Sequence, residues 1–262
     1  MKERICADLR RFFSAVATMM GAAFAADLPN IKGPPVYAPP PVWSWTGCHV
    51  GANLGYGWQR NHTYDPTSVP PADAGTDTGG GIVGGGQLGC DYQVGSLVLG
   101  IQGSFDGAGV KGSHLYPGSS TEILGFNTSW LATETGRIGY AVLPQALLYF
   151  KGGLAEARIG YTDVDPTLSN SSPYWGSASA TRIGWTIGGG VEYALTPNWS
   201  IFVEYDYMDF GSHNTTLAYT SPIPAAATPY TYNETHNLQT ILAGVNYKFD
   251  MFAPPAPVVA KY

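Results

Sequence analysis

Charge is scarce in this chain. Asp, Glu, Lys and Arg make up 12% of its 262 residues, about half the share of an ordinary soluble domain. Basic residues are the scarcer kind, 13 against 19 acidic ones, for a formal net charge of −6. Nucleic acid needs a basic face, so that balance argues against it as a partner. Three cysteines are too few for a disulfide scaffold at this length. No apolar run beyond residue 25 approaches the roughly 18 residues of a membrane helix. What the chain has in excess is glycine (34 residues) and aromatic side chains (13%). Such a chain is too hydrophobic for disorder. It reads as an all-β protein, either soluble or a membrane barrel.

The first 25 residues bear on the compartment. Lys2, Arg4, Arg10 and Arg11 form a basic start, Phe12 to Phe24 is apolar, and Ala23-Phe24-Ala25 offers a small-x-small cleavage site. This pattern predicts a secretory signal peptide over 1–25, which places Cys48 and Cys90 in an oxidising compartment. Residues 26–44 carry Pro29, Pro34, Pro35, Pro39, Pro40 and Pro41. Such a stretch favours extended polyproline geometry and reads as a linker. The folded part is expected over 45–249, with a tail over 250–262.

From Trp45 the chain alternates with a period of two, the mark of strands with two different faces. Leu97, Leu99, Ile101 and Phe105 oppose Gln102, Ser104 and Asp106, and Trp199, Ile201, Val203, Tyr205 and Tyr207 oppose Glu204 and Asp206. Strands are predicted at about 46–58, 80–93, 96–107, 126–142, 146–160, 180–194, 199–210 and 237–249. Their connections alternate in length. Val94-Gly95, Leu143-Pro144-Gln145 and Leu195-Thr196-Pro197-Asn198 are short turns, whereas 59–79, 108–125, 161–179 and 211–236 are long. The expected fold is an eight-stranded antiparallel up-and-down transmembrane β-barrel with four long extracellular loops and three short periplasmic turns.

One face of these strands is an aliphatic band with Trp and Tyr near the strand ends. The other holds Asp91, Asp106, Arg137, Lys151, Arg182, Glu192, Glu204, Asp206 and Lys248. A soluble barrel would leave the aromatic band in water, so the charges are assigned to the lumen and the band to lipid. In a lumen that side chains can fill, Arg182 is expected near Glu204, and Lys248 near Asp206. Glu134 and Glu156 fall on the apolar parity, which leaves two alternatives: a register shift at a bulge, or strand bounds there that differ from those given.

Trp45-Thr46-Gly47-Cys48-His49-Val50-Gly51-Ala52-Asn53-Leu54-Gly55-Tyr56-Gly57-Trp58 after a proline-rich start resembles the opening strand of small outer-membrane β-barrel proteins of the alphaproteobacterial surface branch. Gly136-Arg137-Ile138-Gly139-Tyr140, Lys151-Gly152-Gly153-Leu154-Ala155, Gly188-Gly189-Gly190-Val191-Glu192-Tyr193 and Gly244-Val245-Asn246-Tyr247-Lys248-Phe249 extend the likeness over most of the chain. The resemblance implies an outer-membrane location, outer-membrane lipid as surroundings and insertion by the barrel-assembly machinery. Gly244, Tyr247 and Phe249 match the family's closing assembly signal. Leu242 stands where that signal has a polar residue, and the chain continues past the terminal aromatic.

Other constellations carry less. Gly84-x-Gly86-x-x-Gly89 matches a dinucleotide fingerprint in letters only, because no helix follows it. His62, His114, His213 and His236 fall in or beside the long loops and could meet a metal or haem iron there. No ligand spacing supports that, although the family resemblance brings haemin-type binding with it. Cys48 and Cys90 share a parity on neighbouring strands and could either form a disulfide or stand as two small wall residues. Ser212, His213 and Asp209 lie close in sequence without a nucleophile elbow, so no enzyme and no cofactor are expected. The reading is a non-enzymatic outer-membrane barrel for envelope integrity and surface contact. Its alternatives are a narrow porin, or a loop-borne binder of an extracellular ligand or adhesin.

Overall fold

Two-faced strands need two different surroundings, and this chain meets that need by closing a sheet on itself. The structure, a computed structural model, describes residues 43–66, 70–166, 174–219 and 230–249. The expected leader, most of the proline-rich stretch and the tail lie outside these residues. Eight strands follow in order: β1 (Gly47–Asp65), β2 (Ala72–Val94), β3 (Leu97–Leu115), β4 (Ile123–Leu143), β5 (Ala146–Asp165), β6 (Tyr174–Ala194), β7 (Trp199–Tyr219) and β8 (Tyr230–Phe249). Each pairs antiparallel with its neighbour, and β1 pairs with β8 to close the ring.

The outward face carries a band of exposed apolar residues over 50–58, 82–94, 97–105, 130–142, 148–154, 183–195, 199–207 and 241–249. So much exposed apolar surface requires lipid rather than water. Aromatic pairs edge the band. Phe105–Trp130, Trp58–Tyr205 and Trp185–Tyr207 stand toward the loop end with ring centroids 5.7, 6.2 and 5.6 Å apart. Trp199–Tyr247, at 5.1 Å, stands at the turn end.

The strands are longer than the alternation indicates. β1 runs to Asp65 and β8 begins at Tyr230, so the loops expected at 59–79, 108–125, 161–179 and 211–236 are largely strand. The connections shrink to 66–71, 116–122, 166–173 and 220–229. Beyond the apolar band each face mixes polar and apolar residues, such as inward Leu124, Phe126 and Leu217 beside Asn61 and Thr215, which blurs the alternation while the ladder of backbone hydrogen bonds continues.

The turn end is tight. Gly95 in the β2–β3 turn has φ of 62°, a left-handed value that favours glycine. Inside the barrel space is short as well: a Cβ on Gly188 would lie 2.0 Å from Asp206 Oδ1.

Candidate functional site: the lumen and its rims

Four layers of side chains fill the lumen. At the turn end Trp43 and Trp45, edge to face at 5.2 Å, pack with Val98, Leu147, Tyr149 and Ala194. The Trp45 backbone N–H donates to Gln93 Oε1 at 2.7 Å. Lys248 lies 4.7 Å from the Trp43 ring centroid and donates to the Ser44 carbonyl. The chain just before β1 thus stops the lower mouth.

Above this stopper lies a charged layer. Arg137 of β4 forks onto Asp91 of β2, with Nε 2.7 Å from Oδ1 and Nη2 on Oδ2, and its Nη1 reaches Glu192 Oε2 of β6 at 3.1 Å. Lys151 of β5 bridges Glu204 and Asp206 of β7 at 2.8 and 3.0 Å. The Tyr149 hydroxyl donates to the second oxygen of Glu204 at 2.9 Å, and Ser200 and Asn246 donate to Glu192 at 2.5 and 2.9 Å. Asn53 donates to Gln87 and Asp106, each at 2.9 Å, and Gln87 to Asn246 at 2.8 Å. Charges held this far from water persist only when paired, and Arg137 and Lys151 each face two carboxylates.

The third layer is apolar: Val83, Val110, Leu131, Met208, Phe210, Leu238 and Leu242 all point inward and are buried. Leu242 packs in this layer. Above it comes a polar layer on the loop side of the band. Gln59 donates to Asn61 Oδ1 at 2.8 Å, His236 Nδ1 meets the same oxygen at 2.8 Å, and His236 Nε2 lies 2.8 Å from the Tyr161 hydroxyl. An amide oxygen can only accept, so Nδ1 carries the proton and Nε2 accepts from Tyr161. Burial, then the Arg182 and His213 charges, push the His236 imidazole down to about 3. Nearby, burial pushes the Glu234 carboxyl up to about 7 against hydrogen bonding from Thr215.

Every charge assigned to the lumen points into it, but two expected pairings do not form. Arg182 donates to Thr215 at 2.5 Å and to Tyr161 at 3.3 Å rather than to Glu204. The register places Glu204 opposite Gly190, far below Arg182 on β6. Lys248 lies at the stopper, while Asp206 stands opposite Thr240. Neither Glu134 nor Glu156 sits at a bulge. The shifts in β4 fall at Thr128/Trp130 and Ala141/Leu143, and both carboxylates face outward.

The four loop-side histidines go separate ways. His62 is exposed, 3.3 Å from Asp73. His114 pairs with Asp77 and donates to the Ala74 carbonyl at 2.7 Å, and His213 lies 2.8 Å from the Phe210 carbonyl. His236, expected near a loop, is buried inside the barrel. Among the described residues no group of three or more His, Cys, Asp or Glu could hold a metal ion. Cys48 and Cys90 stand directly opposite in the β1–β2 register and are bonded, with S–S 2.07 Å. Of the assembly-signal residues, Tyr247 and Phe249 face outward at the turn end, and a Cβ on Gly244 would lie 2.3 Å from the Ala52 carbonyl oxygen.

The tryptophan stopper and the apolar layer escape the sequence reading. A signal for the latter exists: Met208 and Phe210 share the parity of Glu204 and Asp206.

The model of the outer membrane protein beta-barrel domain family matches residues 13–249. The chain is similar to the 31 kDa outer-membrane immunogenic protein of Brucella melitensis, 31% identical over 95% of this chain and 100% of that protein. It is also similar to the 25 kDa outer-membrane immunogenic protein of Brucella abortus, 29% identical over 90% and 95%. The 22 kDa outer membrane protein of Rhizobium leguminosarum is 30% identical over 66% of this chain and 67% of that protein. Among solved structures, Neisserial surface protein A is similar at 16% identity, covering 78% of this chain and 98% of that one, with a TM-score of 0.40.

Proposed function

Because the chain belongs to the outer membrane protein beta-barrel domain family, we propose that it is a non-enzymatic, non-conducting barrel of the outer membrane that supports envelope integrity and surface contact. In this reading residues 1–25 direct export and the proline-rich stretch lies in the periplasm. The barrel-assembly machinery inserts the strands, guided by Gly244, Tyr247 and Phe249, and the loop end faces outside.

One observation carries the reading. The charged layer joins β2, β4, β5, β6 and β7 through Arg137 and Lys151, with the stopper beneath it and an apolar layer above. An ion crossing the barrel would have to break buried pairs and hydrate an apolar layer, and each step is costly. The refolded protein, its folding verified by heat-shifted gel mobility, should give no conductance steps in a planar bilayer. Reproducible steps lost on denaturation would replace this reading with that of a narrow porin.

A further inference from the structure

Glu134 stands on the outward face of β4, inside the apolar band. Trp130 marks the loop-side edge of that band four positions above it, and Tyr140 lies six positions below. At about 3.3 Å per residue the upper distance is about 13 Å along the strand. A glutamate side chain cannot span it, so this carboxyl stays at the depth of acyl chains. Glu156 differs: it lies two positions below Arg158, which pairs in register with Trp130 at the edge. Among the described residues nothing donates to the Glu134 carboxyl. Acyl chains offer no hydrogen bond either, so a barrel alone in lipid leaves the group unmet at a cost.

The wall beside it is hollow. Leu88, Gly103 and Glu134 form one row across β2, β3 and β4, and Cys90, Ile101 and Gly136 form the row nearer the turns. A recess of about 390 Å³ lies between them. Glycine makes its floor: a Cβ on Gly136 would meet nothing within 4 Å, and one on Gly103 nothing nearer than 3.8 Å. Leu88 and Ile101, 67% and 69% exposed, rise at its sides. Apolar surface alone gains nothing against lipid, so protein surfaces associate in a membrane where small residues permit close approach and a polar group bonds across the contact.

The depth of the carboxyl selects the occupant. Two copies inserted the same way and related by a two-fold axis along the membrane normal bring a residue near that axis against itself, at its own depth. A different protein would need a polar group at that depth by coincidence; a second copy has one by symmetry. Two carboxyl groups that hold their protons are complementary to each other, each donating one O–H and accepting one. We propose that the outer wall of β3–β5 is a contact between two copies of this chain, in which Glu134 bonds to the partner's Glu134 and Gly103 and Gly136 let the walls close.

The test uses the full chain refolded into phosphatidylcholine vesicles at high protein density. Gly136→Cys places a thiol beside Glu134 at an open position, and Cys48 and Cys90 are already bonded to each other. Mild oxidation should join Gly136→Cys barrels as pairs on a non-reducing gel. Ile241→Cys, outward on β8 across the ring, should join no more than chance collisions do. Adding Glu134→Leu should cut the paired fraction about tenfold. Glu134→Gln should keep it, because a carboxamide also donates and accepts. Energy transfer between barrels labelled at the N-terminus repeats the comparison with Gly136 intact, and heat-shifted gel mobility reports whether each variant is folded. No pairing by folded parent barrels, equal joining through position 241, full pairing of Glu134→Leu, or loss of pairing in Glu134→Gln would each overturn the assignment.

Discussion

Glu134 is the residue most at odds with its surroundings, an exposed carboxylate between Ala132 and Gly136 on a face otherwise apolar at that depth. Acidic groups on the lipid face of a barrel are destabilising, though less so than basic ones. Glu134→Leu should therefore raise stability in urea titrations from phosphatidylcholine vesicles by about 1–2 kcal/mol. A loss of stability would mean that the carboxylate has a partner in the bare barrel. Glu234 and His236, two positions apart on β8, respond to pH in opposite senses. The Glu234 carboxyl, raised to about 7 from an ordinary 4.5, binds its proton more tightly in the folded barrel. Its contribution is whole below pH 4.5 and is lost as pH rises through 7. The His236 imidazole, lowered to about 3 from 6.5, contributes fully above pH 6.5 and loses that contribution as pH falls through 3. Glu234→Gln should then remove a decline in unfolding free energy between pH 5 and pH 8 that the parent shows, on the order of 3 kcal/mol. Parallel pH profiles for the two proteins would contradict the buried position of this carboxyl.

Among the elements, β1 and β2 differ from the other hairpins in being bonded covalently, Cys48 to Cys90. The bond encloses a sequence separation of 42 residues, which in the chain-entropy picture stabilises the fold by up to about 4 kcal/mol. Cys48→Ala with Cys90→Ala should lower the unfolding free energy from urea titration by about half that or more, and reducing agent should move the parent but leave the variant where it was. If reduction shifts both equally, the bond is not the cause. The strands also mark where sequence reading succeeds and where it stops. Over β3 and the membrane part of β7 one face meets hydrocarbon and the other polar lumen, so alternation names both elements. In β1 above Trp58, Gln59, Asn61 and Thr63 point inward while Arg60, His62 and Tyr64 point outward. Both sets are polar or amphipathic, and the period-two signal vanishes although the strand does not. Parity placed all nine lumen charges, but it could not pair them. Pairing depends on the stagger between strands, which is set by ring closure rather than by any local segment.

For the molecule as a whole, the layers give the lumen a single charged seal held by two cations. Arg137→Ala with Lys151→Ala leaves Asp91, Glu192, Glu204 and Asp206 without their cationic partners, at a cost of about 3–5 kcal/mol for each broken pair. If the double variant still folds, water should enter to solvate the freed carboxylates, and cation-selective steps should appear in the planar bilayer where the parent is silent. A folded but silent variant would move the seal to the apolar layer or to the tryptophan stopper. That stopper also bears on how the ring is made. Every strand pairing but one joins sequence neighbours and can form as a hairpin; only β1 with β8 brings together the two ends of the barrel. Loop-closure entropy is greatest for that step, which makes it the slow one in a topology that is otherwise local. Lys248 on the last strand reaches Ser44 and Trp43 just ahead of the first, and Asn198 in the β6–β7 turn donates to the Lys248 carbonyl at 2.9 Å. The seam is thus fastened from both sides at the moment it shuts, and a chain that stops short of Lys248 forfeits the latch along with the strand end.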